Sequence, residues 1–374
     1  MDSVLDTLKK EERVALSLRQ LYERFGYKKY KMSRFEEYGF YMDNKSFIPG
    51  GQIISFTDLD GRLLALKPDV TLSIVKNAKE LKGCFDKLYY IENVYKPAKG
   101  AHKFKEISQL GLEALGPVDG YTTLEVVTLA LRSLQSVEDD FVLDLSHIGI
   151  VTGLLESSEL PANADKEQIL QCIVSKNVHD LGRQLKACNA GEGIAAKLEK
   201  LITINGSLGS ALPEICSIIS GGAMEEAYEE LSDIYKAIKG GEYENRVRVD
   251  FSIINDINYY CGIIFHGYVS RVPRMLLSGG RYDKLLQKFG KGVGAIGFAL
   301  ILDEIAAYYP EDKDLDADVL ILYEKDADCK GLLEAVTRLA ENGLKVRTET
   351  SLPQGLSYGR IVRYVKGKLE ETDV

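Results

Sequence analysis

Two strand-length runs do most to limit what this chain can fold into. KLYYIENVYKP and KFKEISQLGLEALG both read as strands, and only the short polar stretch Ala98–His102 separates them. A link that short cannot carry a crossover, so the two strands pair antiparallel. More strand-like runs come much later, in RVRVDFSII, NYYCGIIFHGYV, the start of MLLSGGRYDKLLQKF, and GAIGFALILDEIAAYY. Between the two sets, residues 151–245 become Leu-, Ala-, Glu- and Lys-rich, with helical stretches at Lys166–Val174, Val178–Lys186, Ile194–Ile202 and Met224–Lys239. An antiparallel sheet flanked by helices and interrupted by a helical insertion is an α+β arrangement. A nucleotide-binding parallel sheet would alternate strand and helix throughout, and only the tail does so.

The remaining segments fit around that frame. Residues 6–26 form one amphipathic helix, with Val14, Leu18, Leu21 and Phe25 at helical spacing and Gly26 as its C-cap. From Tyr27 to Leu66 the pattern shortens to strand-length pieces broken at Gly50-Gly51 and at Asp60-Gly61, the latter a hairpin turn. Pro68 precedes a helix from Val70 to Leu81; a helix Thr122–Leu134 and a strand Asp140–Leu145 follow the long pair. YYPEDKDLDAD is a charged linker. Beyond it lie a strand Val319–Tyr323, a helix Lys330–Glu341 capped by Gly343, a strand Lys345–Thr350 and a basic helix near Arg360–Lys368. The expected domains are a core from 1–150 and 246–310, an insertion at 151–245, and a small βαβ-like tail at 316–374.

Composition removes several function classes. Lys and Arg total 47 against 56 Asp and Glu, a formal charge of −9, which leans against nucleic acid as the main ligand because phosphate neutralisation needs cations. Six scattered cysteines, with no C-x-x-C pair, suit reduced thiols in a cytosol. Four histidines without an H-E-x-x-H arrangement argue against a protein-built metal centre, and no cofactor is expected. The N-terminal segment lacks the apolar core of a secretory signal, and no apolar run is long enough for a bilayer. A cytoplasmic protein is the expectation.

Two short motifs have plain structural readings. Gly292-Val293-Gly294-Ala295-Ile296-Gly297 matches G-x-G-x-x-G, but a helix (Asp283–Phe289) precedes it and a strand runs through it. A dinucleotide site needs the reverse order, so a turn is the better reading. Glu138-Asp139-Asp140 continues as FVLDLSH, without the small residues and backbone amides of a phosphate-binding loop. It reads as a solvated turn before a strand.

Four longer blocks carry more. They are FTDLDGRLLALKPDVTLSIVKN (56–77), LYYIENVYKPAKGAHKFKEISQLGLEALG (88–116), INDINYYCGIIFHGY (254–268) and SGGRYDKLL…GVGAIGFALILDEI (278–305). In that order and spacing the chain resembles class II histidyl-tRNA synthetases over nearly its whole length. The second block resembles the second class II signature, closing on Gln109, Gly111 and Glu113; the third resembles the histidine-specific block; the fourth resembles the third signature. Asp69, Gln109 and Glu113 offer acceptors for an ammonium or imidazole N–H, and Thr71 adds a hydroxyl. Tyr259, Tyr260 and Tyr282 offer ring faces for a flat pocket. Each of these could equally sit on a wet sheet face; it is their joint occurrence that favours a pocket.

The same resemblance marks what is missing. The family places arginines against ATP phosphates in the second signature, the histidine block and the third signature, and here those positions fall on Asn93, Asn255 and Glu304. No arginine lies between Arg62 and Arg132, between Arg248 and Arg271, or between Arg281 and Arg338, so shifting the alignment does not restore one. Nearby lysines such as Lys96, Lys103 and Lys105 are point charges without a guanidinium fork. Loss of one transition-state donor costs about a hundred- to a thousandfold in rate, so three losses predict no amino-acid activation. The family's first-signature proline is Ser33 here, which bears on the usual dimer contact. Among relatives without the chemistry, the chain is similar to regulatory subunits of short-form ATP phosphoribosyltransferase. That resemblance implies a catalytic-subunit partner in a hetero-oligomer, self-association as a dimer within it, and histidine feedback in the first step of histidine biosynthesis. A working but degenerate synthetase, or a module sensing histidine or tRNA, are the competing readings.

Overall fold

The structure is a computed structural model that describes residues 8–48, 52–78, 84–98, 103–254, 259–310 and 315–371. The chain divides into a larger unit from Glu11 to Tyr309 and a smaller one carrying the chain from Pro310 onward.

The strands of the larger unit run in chain order β1 (Lys28–Lys29), β2 (Phe35–Glu37), β3 (Ser55–Thr57), β4 (Leu63–Leu66), β5 (Asp86–Pro97), β6 (Phe104–Gly116), β7 (Phe141–His147), β8 (Asn205–Ser207), β9 (Val247–Asp250), β10 (Ile263–Val269), β11 (Leu277–Arg281) and β12 (Gly294–Ile301). Nine of them form one sheet in the order β1-β5-β6-β12-β11-β10-β7-β9-β8. The expected antiparallel pair is β5 with β6, from Asp86↔Leu115 to Pro97↔Phe104. Only β1–β5 and β7–β9 are parallel in this sheet. A small sheet, β2-β4-β3, holds the hairpin at Asp60-Gly61, where Gly61 takes φ 78°.

Helices cover the sheet because their apolar stripes match it. The first, Lys10–Arg24, buries Val14, Leu18 and Tyr22 and ends at Gly26, whose φ of 84° is the left-handed value a glycine C-cap supplies. Gly120–Val137 buries Val127, Leu131 and Leu134. The inserted helices Lys166–Val174, Val178–Ala187, Glu192–Thr203 and Ala223–Ile238 lie within two residues of expectation at each end. Their Leu185, Leu198 and Leu231 join the same core as Leu129 and Leu145 of the sheet unit. Three further helices were not expected: Ile148–Leu155, Leu208–Cys216, and Tyr38–Asp43, which stands among the strand-length pieces expected from Tyr27 to Leu66.

The smaller unit has β13 (Ala317–Tyr323), a helix Cys329–Glu341, β14 (Val346–Glu349), β15 (Tyr358–Val365) and β16 (Lys368–Glu371), with strand order β14-β13-β15-β16. The basic helix expected near Arg360–Lys368 is therefore a strand hairpin. Its period is two: Val362 and Tyr364 are buried with Val319, Ile321 and Leu332, while Arg363 and Val365 are exposed. Lys366 and Gly367, both with positive φ (47° and 84°), make the tight turn. The charged residues that suggested a solvated helix face lie instead on a strand pair.

Candidate functional site

The site starts from the turn after β4. Asp69 accepts the Leu72 backbone N–H at 2.9 Å, and this holds the first turn of the helix Thr71–Asn77. Thr71, Leu72 and Ile74 of that helix are buried. The turn is tied to the main sheet by Lys67, whose Nζ meets Glu92 of β5 at 2.5 Å and whose carbonyl accepts the Tyr95 N–H at 3.0 Å. At 1% exposure a lone ammonium would be costly, so the Glu92 partner is what allows Lys67 to remain there.

The sheet supplies the floor. Gln109, Gly111 and Glu113 alternate onto one face of β6. Gly297 of β12 stands directly across from Glu113, and a Cβ on it would fall 1.8 Å from Glu113 Oε2. Gly111 likewise leaves room for the Tyr90 ring, which would lie 2.2 Å from a Cβ there. Into this space the Tyr282 hydroxyl donates to Glu113 Oε2 at 2.5 Å, and the Thr71 hydroxyl donates to Glu113 Oε1 at 2.8 Å. The Tyr259 ring lies 5.7 Å from Tyr282 and 4.7 Å from Tyr260.

All seven residues singled out from the sequence (Asp69, Thr71, Gln109, Glu113, Tyr259, Tyr260 and Tyr282) line one cavity of about 180 Å³. The wall also includes Phe47, Tyr90, Lys96, Ser278, Gly279, Gly297, Phe298 and Ala299, which the sequence reading did not assign. Ser278 and Gly279 lie inside a block already quoted, and Tyr90 is the cross-strand partner of Gly111. Strand register would have found them. No sequence signal marks Phe47.

The electrostatics centre on Glu113. Burial pushes its carboxyl up to about 8; the Tyr282 and Thr71 hydroxyls pull against that rise, and the Asp69 charge adds to it. Burial, followed by the Glu113 charge, holds the Tyr282 phenol well above its ordinary value, so it stays a donor.

The three positions where arginines were expected differ. Asn93 is exposed on β5 and donates to Glu106 at 2.5 Å. Glu304 is 8% exposed in the helix Leu302–Tyr308, and Arg274 Nη1 approaches it at 3.4 Å. Asn255 lies outside the described residues. Neither Asn93 nor Glu304 lines the cavity.

A second cavity, of about 940 Å³, lies across the wall formed by Tyr260–Gly262 and Arg281–Asp283. Glu226, Glu229, Glu230 and Asp233 of the helix Ala223–Ile238 line it, with His147 bonded to Glu230 at 2.8 Å. Among the described residues no three His, Cys, Asp or Glu side chains gather as a metal cluster, and no helix is long and apolar enough to cross a membrane.

Comparison with known proteins agrees with this fold. An ATP phosphoribosyltransferase regulatory subunit of Oceanobacillus iheyensis is 26% identical over 347 residues, 91% of this chain and 84% of that one. The crystal structure of an ATP phosphoribosyltransferase regulatory subunit/histidyl-tRNA synthetase from Bacillus halodurans C superposes with a TM-score of 0.78 at 22% identity, covering 95% of this chain and 93% of that chain. An ATP phosphoribosyl transferase (HisG:HisZ) complex from Thermotoga maritima contains a chain matching with a TM-score of 0.63 at 21% identity, over 78% of this chain and 97% of its own. The fold is thus the class II synthetase-like α+β fold expected from the four blocks. The profile of the family described as Histidyl-tRNA synthetase matches residues 2–305, and the chain belongs to that family.

Proposed function

We propose that this chain is a non-catalytic regulatory subunit of short-form ATP phosphoribosyltransferase, acting in the first step of histidine biosynthesis. It binds a separate catalytic subunit, raises its activity and takes part in feedback by histidine. The relatives named for that role, at comparable length, support the reading. The observation that carries it is a contrast between the cavity and two positions outside it. The acid-and-tyrosine cavity is kept, while the second-signature position is Asn93, bonded to Glu106, and the third is Glu304, bonded to Arg274. A group that steadies a triphosphate must be cationic and unoccupied, and neither of these is.

The cavity of Asp69, Thr71, Gln109, Glu113, Tyr259, Tyr260 and Tyr282 is the histidine site in this reading. Histidine there shifts the balance between two states of the complex by binding one better than the other. The chain works in the cytoplasm and self-associates as a dimer within the hetero-oligomer. At the first-signature position, the Ser33 hydroxyl accepts the Phe35 N–H at 3.3 Å, so a local turn is kept where the family has proline.

The test is reconstitution. Adding the purified chain to a short-form catalytic subunit should raise its turnover, and histidine should lower it again. A demonstrated complex with unchanged turnover would overturn the assignment. Histidine-dependent ATP–pyrophosphate exchange by the chain alone would instead establish a working synthetase, the dual naming of the Bacillus halodurans relative being the observation that favours trying it.

A further inference from the structure

We infer that Lys96 is the residue of this cavity that takes the carboxylate of its ligand, so that the cavity accepts a free amino acid and turns away the same molecule once its carboxylate is lost. The inference rests on reading the cavity as the histidine site and adds which end of the ligand decides what binds there.

The register of the β5–β6 pair sets up the charge. Residues directly opposite one another in an antiparallel pair share a face. The cavity face carries Gln109 opposite Glu92 and, further along β5, Lys96 opposite Lys105. The acids of these two strands are engaged elsewhere. Glu92 holds the buried Lys67 ammonium at 2.5 Å. Glu106 lies on the other face of the pair, where it accepts from Asn93 at 2.5 Å and from the Tyr95 hydroxyl at 3.0 Å. Neither Lys96 nor Lys105 meets a carboxylate among the described residues. Like charges directly across a strand pair repel, and an anion beside them relieves this.

Lys96 also lines the cavity, half-buried, and is the sole cation among the described residues that do so. The wall thus carries two acids, Asp69 and Glu113, and one lysine. Asp69 accepts the Leu72 N–H, and Glu113 accepts the Thr71 and Tyr282 hydroxyls, whereas the three N–H donors of Lys96 meet no acceptor among the described residues. Such a wall matches a zwitterion, whose cationic end faces the acids while its carboxylate faces the lysine. Size excludes bulkier anions. At about 180 Å³ the cavity lies below the roughly 300 Å³ at which sites for drug-sized ligands begin, so an amino acid fits and a nucleotide does not. An ammonium–carboxylate hydrogen bond is charge-assisted and stronger than a neutral one. A neutral group in place of the carboxylate leaves Lys96 without a counter-charge, so the cavity prefers the charged group over shape alone.

The experiment is titration calorimetry of the full chain with three ligands: L-histidine, L-histidinol, which carries a hydroxymethyl group in place of the carboxylate, and histamine, which carries hydrogen there. The wild type should bind histidine about ten- to a hundredfold more tightly than either analogue. Lys96→Met should weaken histidine by that factor and leave the two analogues unchanged, and Lys96→Arg should keep the preference. A lysine that only shaped the wall would weaken all three ligands alike, and that result overturns the inference. So does equal affinity of the wild type for histidine and histidinol, a comparison that needs no variant and decides even if Lys96→Met fails to fold. In both cases histidine still binds the wild type, and the site reading stands. No binding of any of the three to the wild type removes that reading, and this inference with it.

Discussion

At Glu113 the fold sets burial against hydrogen bonding. Burial is the larger effect, lifting the carboxyl from 4.5 to about 8 despite two hydroxyl donors. An acid whose folded value is raised reverses the usual linkage. Between those two values the native state holds a proton that the unfolded chain has lost, so stability falls as pH rises through the window. The slope from one such group is at most about 1.4 kcal/mol per pH unit. Replacing Glu113 with Gln removes this group from the balance and keeps the side chain's shape. The variant should therefore gain stability relative to the wild type as pH rises from about 5 to about 8, read from urea midpoints at several pH values. Parallel pH profiles for the two proteins would show that Glu113 titrates normally. Tyr282→Phe gives a complementary readout: with one of its two hydroxyl donors gone, the Glu113 value should rise further and extend the window upward. Infrared titration of the carboxyl band would detect that change directly.

The element that best shows what sequence can and cannot reveal is β12 with its preceding turn. Gly292, Gly294 and Gly297 match a phosphate-binding fingerprint, yet what matters here is steric and confined to the last two. A Cβ on Gly292 meets nothing within 4 Å, one on Gly294 would meet Asp283 Oδ1 at 2.7 Å, and one on Gly297 would meet Glu113 Oε2 at 1.8 Å and the Leu112 carbonyl at 2.3 Å. Gly297→Ala should thus cost about 1–3 kcal/mol and abolish ligand binding, because the backbone carbonyl of β6 cannot step aside. Gly292→Ala should be close to neutral, and thermal melts of the pair with histidine binding as a second readout would check both. Elsewhere, elements with a strong period were legible: the inserted helices, the β5–β6 pair and the Asp60-Gly61 hairpin. Ile148–Leu155 was not, because IGIVTGLL is apolar on all sides and carries no helical period. Leu208–Cys216 was masked by Pro213 inside it. The β15–β16 hairpin was hidden by its arginines and lysines, which drew attention from a period of two. That these seven residues would share one cavity was legible only jointly, through block order. The rest of the cavity wall depended on strand register, which a single sequence does not display.

Across the whole molecule, the cavity and the two described positions where the resemblance places arginines lie apart. The nine-stranded sheet, its helices and the cavity form one packed unit, since they share contacts and a change in one disturbs the others. Those two positions lie outside the cavity and make local contacts of their own, Asn93 with Glu106 and Glu304 with Arg274. Asn93 sits in the open on β5, where an arginine would fit without strain. Glu304 does not. It is buried, and the nearby Arg274 also reaches the Tyr308 hydroxyl, 3.5 Å away. An arginine at 304 would bury a guanidinium beside the like charge of the largely exposed Arg274, and an uncompensated buried charge costs on the order of 3–5 kcal/mol. Asn93→Arg should therefore fold and melt like the wild type, whereas Glu304→Arg should lower the melting temperature clearly, and the double variant should follow the weaker single. None should gain ATP–pyrophosphate exchange, because the residues around position 304 now serve Arg274. A double variant that is both stable and active in exchange would mean the site is still organised for a nucleotide, with only its arginines removed.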